Sequence, residues 1–259
     1  MKAIADKYVT LLSTHFKFYI KYPLGLFLKL IYLPVQMIMS IFLWIAISTN
    51  SSIDVRYMIK YYLLVNLLNY AYPFAHISID IESNILDGTI SNNLVRPVGY
   101  YVPIVSKYLS WMIIYSVVFI PVLIGFYFFE GVSIVKITVF IAYVILGMSI
   151  EFLIWYNIGL LAFFLGKTRG VRMMIFAVRS IVSGTLLPLS LFPEIIQKII
   201  YFIPFRYYIY VPVNTVLSDI SYSTLLIDAF SGCCWILVLW LFTTLSWNIG
   251  IQKYQNNIS

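Results

Sequence analysis

Charged residues are scarce in this 259-residue chain, and their scarcity excludes an ordinary soluble domain. They make up 10% of the sequence, compared with roughly 25% in soluble domains. Hydrophobic residues make up 62% and aromatic residues 18%, and the mean hydropathy is +0.93. The same numbers exclude a disordered chain, because disordered chains are poor in apolar and aromatic residues. Lipid is therefore the expected solvent for most of the chain.

Cysteine and histidine are nearly absent, which argues against a metal centre. Cys233 and Cys234 are adjacent in an apolar run and could not bridge each other without strain. The two histidines, His15 and His76, are not spaced with cysteine or acidic residues as metal ligands are. Nothing in the sequence pairs either histidine with a nucleophile. We expect no metal site, no catalytic residue and no cofactor bound by this chain.

A phosphate-binding loop is also missing. The sequence Gly166-Lys167-Thr168 is its nearest match, but Leu161 stands where the motif requires glycine and no strand pattern precedes it. The excess of basic residues gives a net charge of +7. The sequence contains no soluble basic domain that could bind nucleic acid. We expect a chain that is not an enzyme, does not hydrolyse ATP and does not bind nucleic acid.

Long apolar runs dominate what is present. A membrane-crossing helix needs about 20 mainly apolar residues, and six segments qualify. The sequence predicts an all-α integral membrane protein whose six transmembrane helices form one domain over residues 23–259. The predicted spans are Pro23–Ile47, Tyr57–Ile79, Tyr101–Phe129, Val135–Leu165, Val171–Leu191 and Leu225–Ile249.

The segment between the fifth and sixth spans, residues 192–222, is apolar but interrupted. Pro193, Pro204 and Pro212 divide it into pieces too short to cross a bilayer. Such pieces are tolerated at membrane depth when they pack against protein, and the prolines are expected to begin or end the short helices. We predict a re-entrant helical hairpin on the outer side of the membrane. It also carries charged residues, namely Glu194, Lys198, Arg206 and Asp219.

The distribution of basic residues predicts that both termini are cytoplasmic. With six spans in this orientation, 5 of the 17 Lys and Arg residues lie outside. Cytoplasmic loops carry the excess of basic residues in membrane proteins. The five outer residues are Arg56, Lys60, Lys136, Lys198 and Arg206.

Residues 1–22 precede the first span and predict an amphipathic interfacial helix. Over residues 4–21, apolar side chains such as Leu11 and Phe16 fall on one side, and Lys7, Lys17 and Lys21 fall on the other. A basic helix with an apolar face lies at the headgroup level of a membrane. Two interpretations stay open: a plain anchor, or a connector that transmits the motion of a cytoplasmic partner.

Polar residues inside spans are candidate functional sites by default. Glu151 is in the middle of the fourth span, with Tyr156 and Asn157 nearby and Arg179 in the fifth span as a possible charge partner. One interpretation is a structural polar contact between helices. The other is a substrate path or proton relay.

The residues after the fifth span resemble the C-terminal signature of type-2 ABC transporter permeases, and most closely the daunorubicin- and viologen-exporter-like branch. The resemblance rests on three elements within residues 183–217 and on Pro212, which closes it. The elements are Gly184 to Pro188, then Phe192-Pro193-Glu194, then Pro204-Phe205-Arg206-Tyr207.

A second resemblance lies in the loop after the second span. Asp87-Gly88-Thr89 followed by Leu94-Val95-Arg96-Pro97-Val98 is similar to an acidic residue, glycine and then Leu-x-Arg-Pro in these permeases. Relatives often have charged residues around the glycine. Here Asn84, Ser91, Asn92 and Asn93 take those places, so the ion pairs with any partner are not specified.

The resemblance implies a permease that pairs with a second permease chain, identical or similar, and with two ABC ATPase subunits that bind ATP and Mg²⁺. The loop over residues 80–100 would then carry the coupling helix. Its predicted interface residues are Ile85, Leu86, Asp87, Gly88, Ile90, Leu94, Arg96 and Pro97. The predicted outer gate comprises Pro193, Glu194, Pro204, Phe205, Arg206 and Tyr207.

The function expected from the resemblance is an ATP-driven exporter subunit in a bacterial cytoplasmic membrane. It would move a hydrophobic or amphipathic substrate outward, such as a drug, toxin, lipid or peptide. Two alternatives stay open. One is a secondary transporter or channel that uses Glu151 and an ion gradient. The other is a membrane scaffold or immunity protein that transports nothing.

Overall fold

The computed structural model describes residues 10, 13–17, 21, 23–48, 54–71, 75–91 and 100–256, and throughout these residues all regular structure is helical. Two 3₁₀ turns, Leu189–Leu191 and Pro204–Tyr207, accompany the α-helices. The α-helices are α1 (Pro23–Ser48), α2 (Val55–Ala71), α3 (Ala75–Leu86), α4 (Tyr101–Glu130), α5 (Ile134–Leu160), α6 (Ala162–Leu165), α7 (Arg169–Val182), α8 (Glu194–Tyr201), α9 (Tyr210–Leu217) and α10 (Tyr222–Asn256).

Three of the described helical segments are long and apolar enough to cross a membrane. They are Tyr101–Glu130, Ile134–Leu165 and Tyr222–Asn256. In α1 the apolar stretch Pro34–Ile47 is shorter. This confirms an all-helical chain with membrane-spanning character. Six spans, cytoplasmic termini and a re-entrant hairpin stay predictions.

The structure differs from the prediction at two of the predicted spans, the second and the fifth. The second, Tyr57–Ile79, corresponds to α2 and α3, and residues 72–74 between them lie outside the described residues. The fifth, Val171–Leu191, corresponds to α7, which ends at Val182 after 14 residues. At 1.5 Å per residue this helix is about 21 Å long, shorter than the roughly 30 Å hydrocarbon core. The predicted interfacial helix over residues 4–21 lies mostly outside the described residues.

The chain forms two compact units. The first comprises residues 1–72 and 92–132 and contains α1, α2 and α4. Polar contacts join its helices: Asn66 Nδ2 donates to Ser40 Oγ at 3.1 Å, and the Tyr115 hydroxyl donates to the Leu67 carbonyl at 3.0 Å. Helix α4 ends at Gly131, whose positive φ of 64° suits a residue without a Cβ.

The second unit comprises residues 73–91 and 133–259, and α5 is its central helix. Ser133 caps α5 by accepting a hydrogen bond from the Lys136 backbone N–H at 3.3 Å. Every side chain from residue 150 to 160 is buried, as expected for a helix that is apolar on all sides and surrounded by protein. Helices α3, α9 and α10 pack around it.

Glycines allow the close packing around α5. A Cβ at Gly159 would lie 2.7 Å from the Cβ of Ile81 in α3, and a Cβ at Gly147 would overlap the carbonyl oxygen of Tyr207. Small residues permit such approach between helices in lipid, where apolar burial alone does not drive helix association. The 3₁₀ turn Pro204–Tyr207 and α9 therefore lie directly against the central helix.

Prolines begin the short elements as predicted. Pro193 precedes α8, and Pro204 is the first residue of a 3₁₀ turn. Pro212 lies in the first turn of α9, where its missing N–H leaves no helical hydrogen bond unmade. Near the end of this region the Lys136 ammonium donates to an Asp219 carboxylate oxygen at 2.6 Å. That hydrogen bond lowers the pKa of the Asp219 carboxyl.

Candidate functional site

The described part of the predicted coupling loop is α3 with the turn that follows it. Ile85 and Ile90 are buried within the second unit, whereas Leu86 and Asp87 are exposed. Gly88 has a φ of 71°, a left-handed conformation that favours glycine. Leu94, Arg96 and Pro97 lie outside the described residues. Among the predicted interface residues that the structure describes, Leu86 and Asp87 are therefore the side chains available to a partner, while Ile85 and Ile90 pack inside the unit.

Polar contacts attach α3 to the start of α7. Glu82 forms an ion pair with Arg172 at 3.1 Å and accepts a hydrogen bond from the buried Thr168 hydroxyl at 2.6 Å. Arg172 also donates to the Ser78 hydroxyl at 3.3 Å. Thr168 and Arg172 thus attach the predicted coupling helix to α7.

The turn after α3 also contacts the end of α10. The Tyr254 hydroxyl donates to the Gly88 carbonyl at 3.4 Å. Together with Ile81 packed on Gly159 of α5, this connects the segment to three long-range neighbours: α5, α7 and α10. A displacement of the turn would therefore be transmitted to α5, α7 and α10.

Replacement of Thr168 by valine tests this tether. We expect Thr168→Val to lower the free energy of unfolding by about 1.5–3 kcal/mol, because a buried hydrogen bond to a carboxylate is lost. Thr138→Val is the control: Thr138 is exposed and its hydroxyl bonds only to the Ile134 carbonyl of its own helix. Unfolding of both variants in mixed micelles measures the difference. Equal stabilities would contradict the tether.

The polar residues predicted within spans form an ion pair. Arg179 Nε lies 3.1 Å from both carboxylate oxygens of Glu151. Trp155 Nε1 donates to the same carboxylate at 2.8 Å, and the Arg179 guanidinium stacks on the Tyr208 ring at 3.7 Å. Glu151 is 1% exposed. The structure therefore joins α5, α7 and the segment before α9 through one buried charge pair.

Asn157 is not part of this pair. Its side-chain amide donates to the Leu153 carbonyl at 2.9 Å and to the Leu239 carbonyl at 3.3 Å. It therefore links α5 to α10 instead of orienting Glu151. Sequence analysis did not find Trp155 or Tyr208 beside Glu151, and the i, i+4 spacing of Glu151 and Trp155 on one helix was the available signal.

The predicted gate residues form a second buried charge pair. Arg206 contacts Asp228 of α10 through Nη2 and the carboxylate. Arg206 Nη2 also donates to the Tyr207 hydroxyl at 3.0 Å, and this hydroxyl donates to the Asp228 carbonyl at 3.1 Å. Phe205, Arg206 and Tyr207 are buried. Pro193 and Glu194 are exposed at the start of α8.

Asp228 was missed by the sequence analysis although the signal was present. It is a carboxylate inside a predicted span, as Glu151 is, and such residues are rare enough to require a partner. Its partner, Arg206, is 22 residues away in an irregular segment, so no helical spacing predicts the pair.

Comparison with known proteins decides the class of this molecule. A family model described as "ABC-2 family transporter protein" matches residues 35–257, which include both charge pairs and the α3 turn. The chain belongs to the ABC-2 transporter family. It is therefore a membrane-embedded permease of the ABC transporter type, a class that works with ABC ATPase subunits. The match does not distinguish the daunorubicin- and viologen-exporter-like branch. No curated protein sequence matches the chain.

Proposed function

We propose that this ABC-2 family chain is the permease subunit of an exporter that moves a hydrophobic or amphipathic substrate outward with energy from separate ATPase subunits. The observation that carries the proposal is the α3 turn, which presents Leu86 and Asp87 on a segment tied to α5, α7 and α10. A coupling element needs both features: an exposed contact for the ATPase and rigid attachment to the helices that move.

In this mechanism ATP and Mg²⁺ bind to the two ATPase subunits, and closure of those subunits displaces the α3 turn. The displacement reaches α7 through Glu82 and Arg172. The helices of two permease chains, identical or similar, then shift relative to each other, and substrate leaves at the predicted outer gate. The proposed location is a bacterial cytoplasmic membrane, with the α3 turn on the cytoplasmic side.

A second permease chain is part of the proposal because α7 has an unusual surface. Met173, Met174, Phe176 and Ile181 are exposed on it, while its buried residue is Arg179. The helix is 14 residues long, so it covers only part of a bilayer's thickness. A second permease packed on this surface would provide protein contacts for it.

The alternative of an ion-gradient-driven transporter requires Glu151 to exchange ions or protons. Both of its carboxylate oxygens lie beside Arg179, one also accepts from Trp155, and the residue is buried. This environment favours a structural ion pair, as is common for charges within membrane helices. The geometry therefore supports the ATPase-coupled function better.

Association with an ATPase subunit tests the proposal. We expect Leu86→Asp to reduce co-purification of the ATPase about tenfold, because a charge would replace an apolar contact at the interface. Leu226→Asp is the matched control, since Leu226 is 72% exposed on the first turns of α10. Undiminished association of Leu86→Asp would contradict the proposed coupling surface.

Reconstitution tests the energy source. In proteoliposomes the chain alone should neither hydrolyse ATP nor accumulate substrate against a gradient. Both activities should appear when the ATPase subunit is added. Uphill transport by the chain alone, driven by an ion gradient, would overturn the proposal and favour the alternative. Stable ATPase binding without transport of any hydrophobic or amphipathic compound would favour a scaffold.

A further inference from the structure

A cavity of about 650 Å³ lies in the second unit among α8, α9 and the first turns of α10. Its volume is within the range of roughly 300–1,000 Å³ that small-molecule sites occupy. Leu189 and Ile220 contribute to it from the connecting segments. Neither the ATPase partnership nor the predicted coupling surface involves it.

The charge of the cavity lining favours an anion. Lys198, Arg206 and Asp228 are its charged residues. Asp228 and Arg206 form an ion pair, so the Lys198 ammonium leaves the lining with a net positive charge. Asn214 adds an amide group, which can donate hydrogen bonds to phosphate or carboxylate oxygens, whereas the Gln197 amide nitrogen already donates to the Ser190 and Phe192 carbonyls.

Arg206 has a further unfilled hydrogen-bonding position. Its side chain is 4% exposed, and Nη2 is used by Asp228 and Tyr207. Nε is buried and has no hydrogen-bond partner among the described residues. A buried cationic donor without an acceptor is costly, and such cases in native proteins require an explanation. Because Nε is enclosed by protein, a ligand in the cavity would interact with the positive charge of the guanidinium and would not accept a hydrogen bond from this nitrogen.

The remaining lining is apolar and aromatic, and it adjoins exposed apolar surface. Tyr201, Phe202 and Tyr210 contribute rings, and Tyr201 also stacks on the Arg206 guanidinium at 4.0 Å. Ile195 of α8 and Phe202, which directly follows α8, are each 74% exposed. Exposed side chains of this kind suit the hydrocarbon boundary of a membrane, from which an apolar chain could enter.

We propose that this cavity binds an amphiphile with one acyl chain and one phosphate or carboxylate. The anionic group contacts the Lys198 ammonium on the side of the cavity lined by Arg206, and the chain lies along the rings of Tyr201, Phe202 and Tyr210. The site goes beyond the proposed transport function, because binding there requires neither an ATPase nor a direction of transport.

Binding of lysophosphatidic acid to the purified full-length chain in detergent tests the site. Lysophosphatidylcholine, which has no net charge, and inorganic phosphate, which has no chain, are the comparison probes. We expect lysophosphatidic acid to bind at least about tenfold more tightly than lysophosphatidylcholine, because the zwitterionic headgroup cannot complement the net positive lining. Inorganic phosphate should not displace it. Equal binding of the two lipids, or displacement by phosphate alone, would overturn the proposal.

Variants outside the buried ion pair keep the test independent of folding. Lys198→Gln should weaken binding of lysophosphatidic acid about fivefold, an effect of the size that a solvent-accessible ion pair provides. Lys167→Gln, an exposed lysine that does not line the cavity, should leave binding unchanged. Equal affinities of these two variants would contradict the assignment.

A second pair of variants tests the location. Thr224 lines the cavity and Ser223 does not, although both are exposed on the first turn of α10. Thr224→Trp should fill the entrance and reduce binding about tenfold, while Ser223→Trp should bind as the unmodified chain does. If both tryptophan variants bind normally, the ligand occupies another site and the proposal fails.

Discussion

Replacement of Glu151 by glutamine is expected to lower the free energy of unfolding by about 3–5 kcal/mol, because the Arg179 guanidinium would remain buried without its carboxylate. Glutamine keeps the shape of the side chain and an acceptor for Trp155 Nε1, which donates to Glu151 at 2.8 Å. The loss therefore reports the ion pair itself. Unfolding in mixed micelles measures it.

The double variant Glu151→Gln with Arg179→Met tests whether the unpaired Arg179 charge causes the loss of stability. It removes both charges, so most of the lost stability should return. Arg179→Met alone should cost less than Glu151→Gln alone, since a buried carboxyl can become neutral by binding a proton whereas a guanidinium cannot. If the double variant is as unstable as Glu151→Gln, the loss does not come from the unpaired charge of the Arg179 guanidinium.

An exposed ion pair in the same unit provides the control. Lys136 and Asp219 are 2.6 Å apart, but the Asp219 side chain is 97% exposed. Asp219→Asn should produce no measurable change in stability, because exposed pairs gain little in water. A loss equal to that of Glu151→Gln would show that burial is not the reason for the effect.

The same double variant separates the two transport hypotheses. If Glu151 is structural, the stable double variant should retain ATP-driven transport. If Glu151 carries ions or protons, transport should be lost although the fold is restored. The measurement is substrate uptake into proteoliposomes at matched protein content.

Replacement of Gly147 by alanine is the second substitution for which we expect a large effect. An added Cβ would overlap the Tyr207 carbonyl oxygen and lie 3.0 Å from its carbonyl carbon. Because the obstacle is backbone, it cannot be relieved by a side-chain rotation. Overpacking of this kind costs about 1–3 kcal/mol or more, so we expect a loss of about 3 kcal/mol in mixed micelles.

Gly125→Ala is the matched control. Gly125 lies inside α4, and a Cβ there would meet nothing within 4 Å. Alanine favours helix over glycine by about 0.8–1.0 kcal/mol, so this variant should be slightly more stable. Losses of similar size at Gly125 and Gly147 would show that the loss at Gly147 does not come from the close approach of Tyr207.

The backbone displacement caused by Gly147→Ala should extend to the predicted gate. Tyr207 bonds to Arg206 and to the Asp228 carbonyl, so a shift of its backbone displaces the second charge pair. Gly159→Ala should be milder, because its closest neighbours are atoms of the Ile81 side chain and α3 could give by a small movement. This order of effects is specific to the packing around α5.

Local features of the sequence determined the class and much of the helical pattern. Composition alone requires a lipid environment, and apolar runs located the starts of α4, α5 and α10 within three residues, although α10 continues to Asn256, beyond the predicted end at Ile249. Pro193 and Pro204 marked the starts of short elements, because proline restricts its own backbone wherever it occurs. The permease motifs predicted the class of protein, and the family match over residues 35–257 confirms it.

Only the tertiary structure decided which distant residues meet. It paired Arg206 with Asp228, placed the Tyr208 ring against the Arg179 guanidinium, and buried Ile85 and Ile90, leaving Leu86 and Asp87 exposed. These outcomes depend on how separate segments pack on α5, and the closest approaches depend on glycines whose neighbours lie far along the chain. Propensity and periodicity describe one segment at a time, so they contain no information about such contacts.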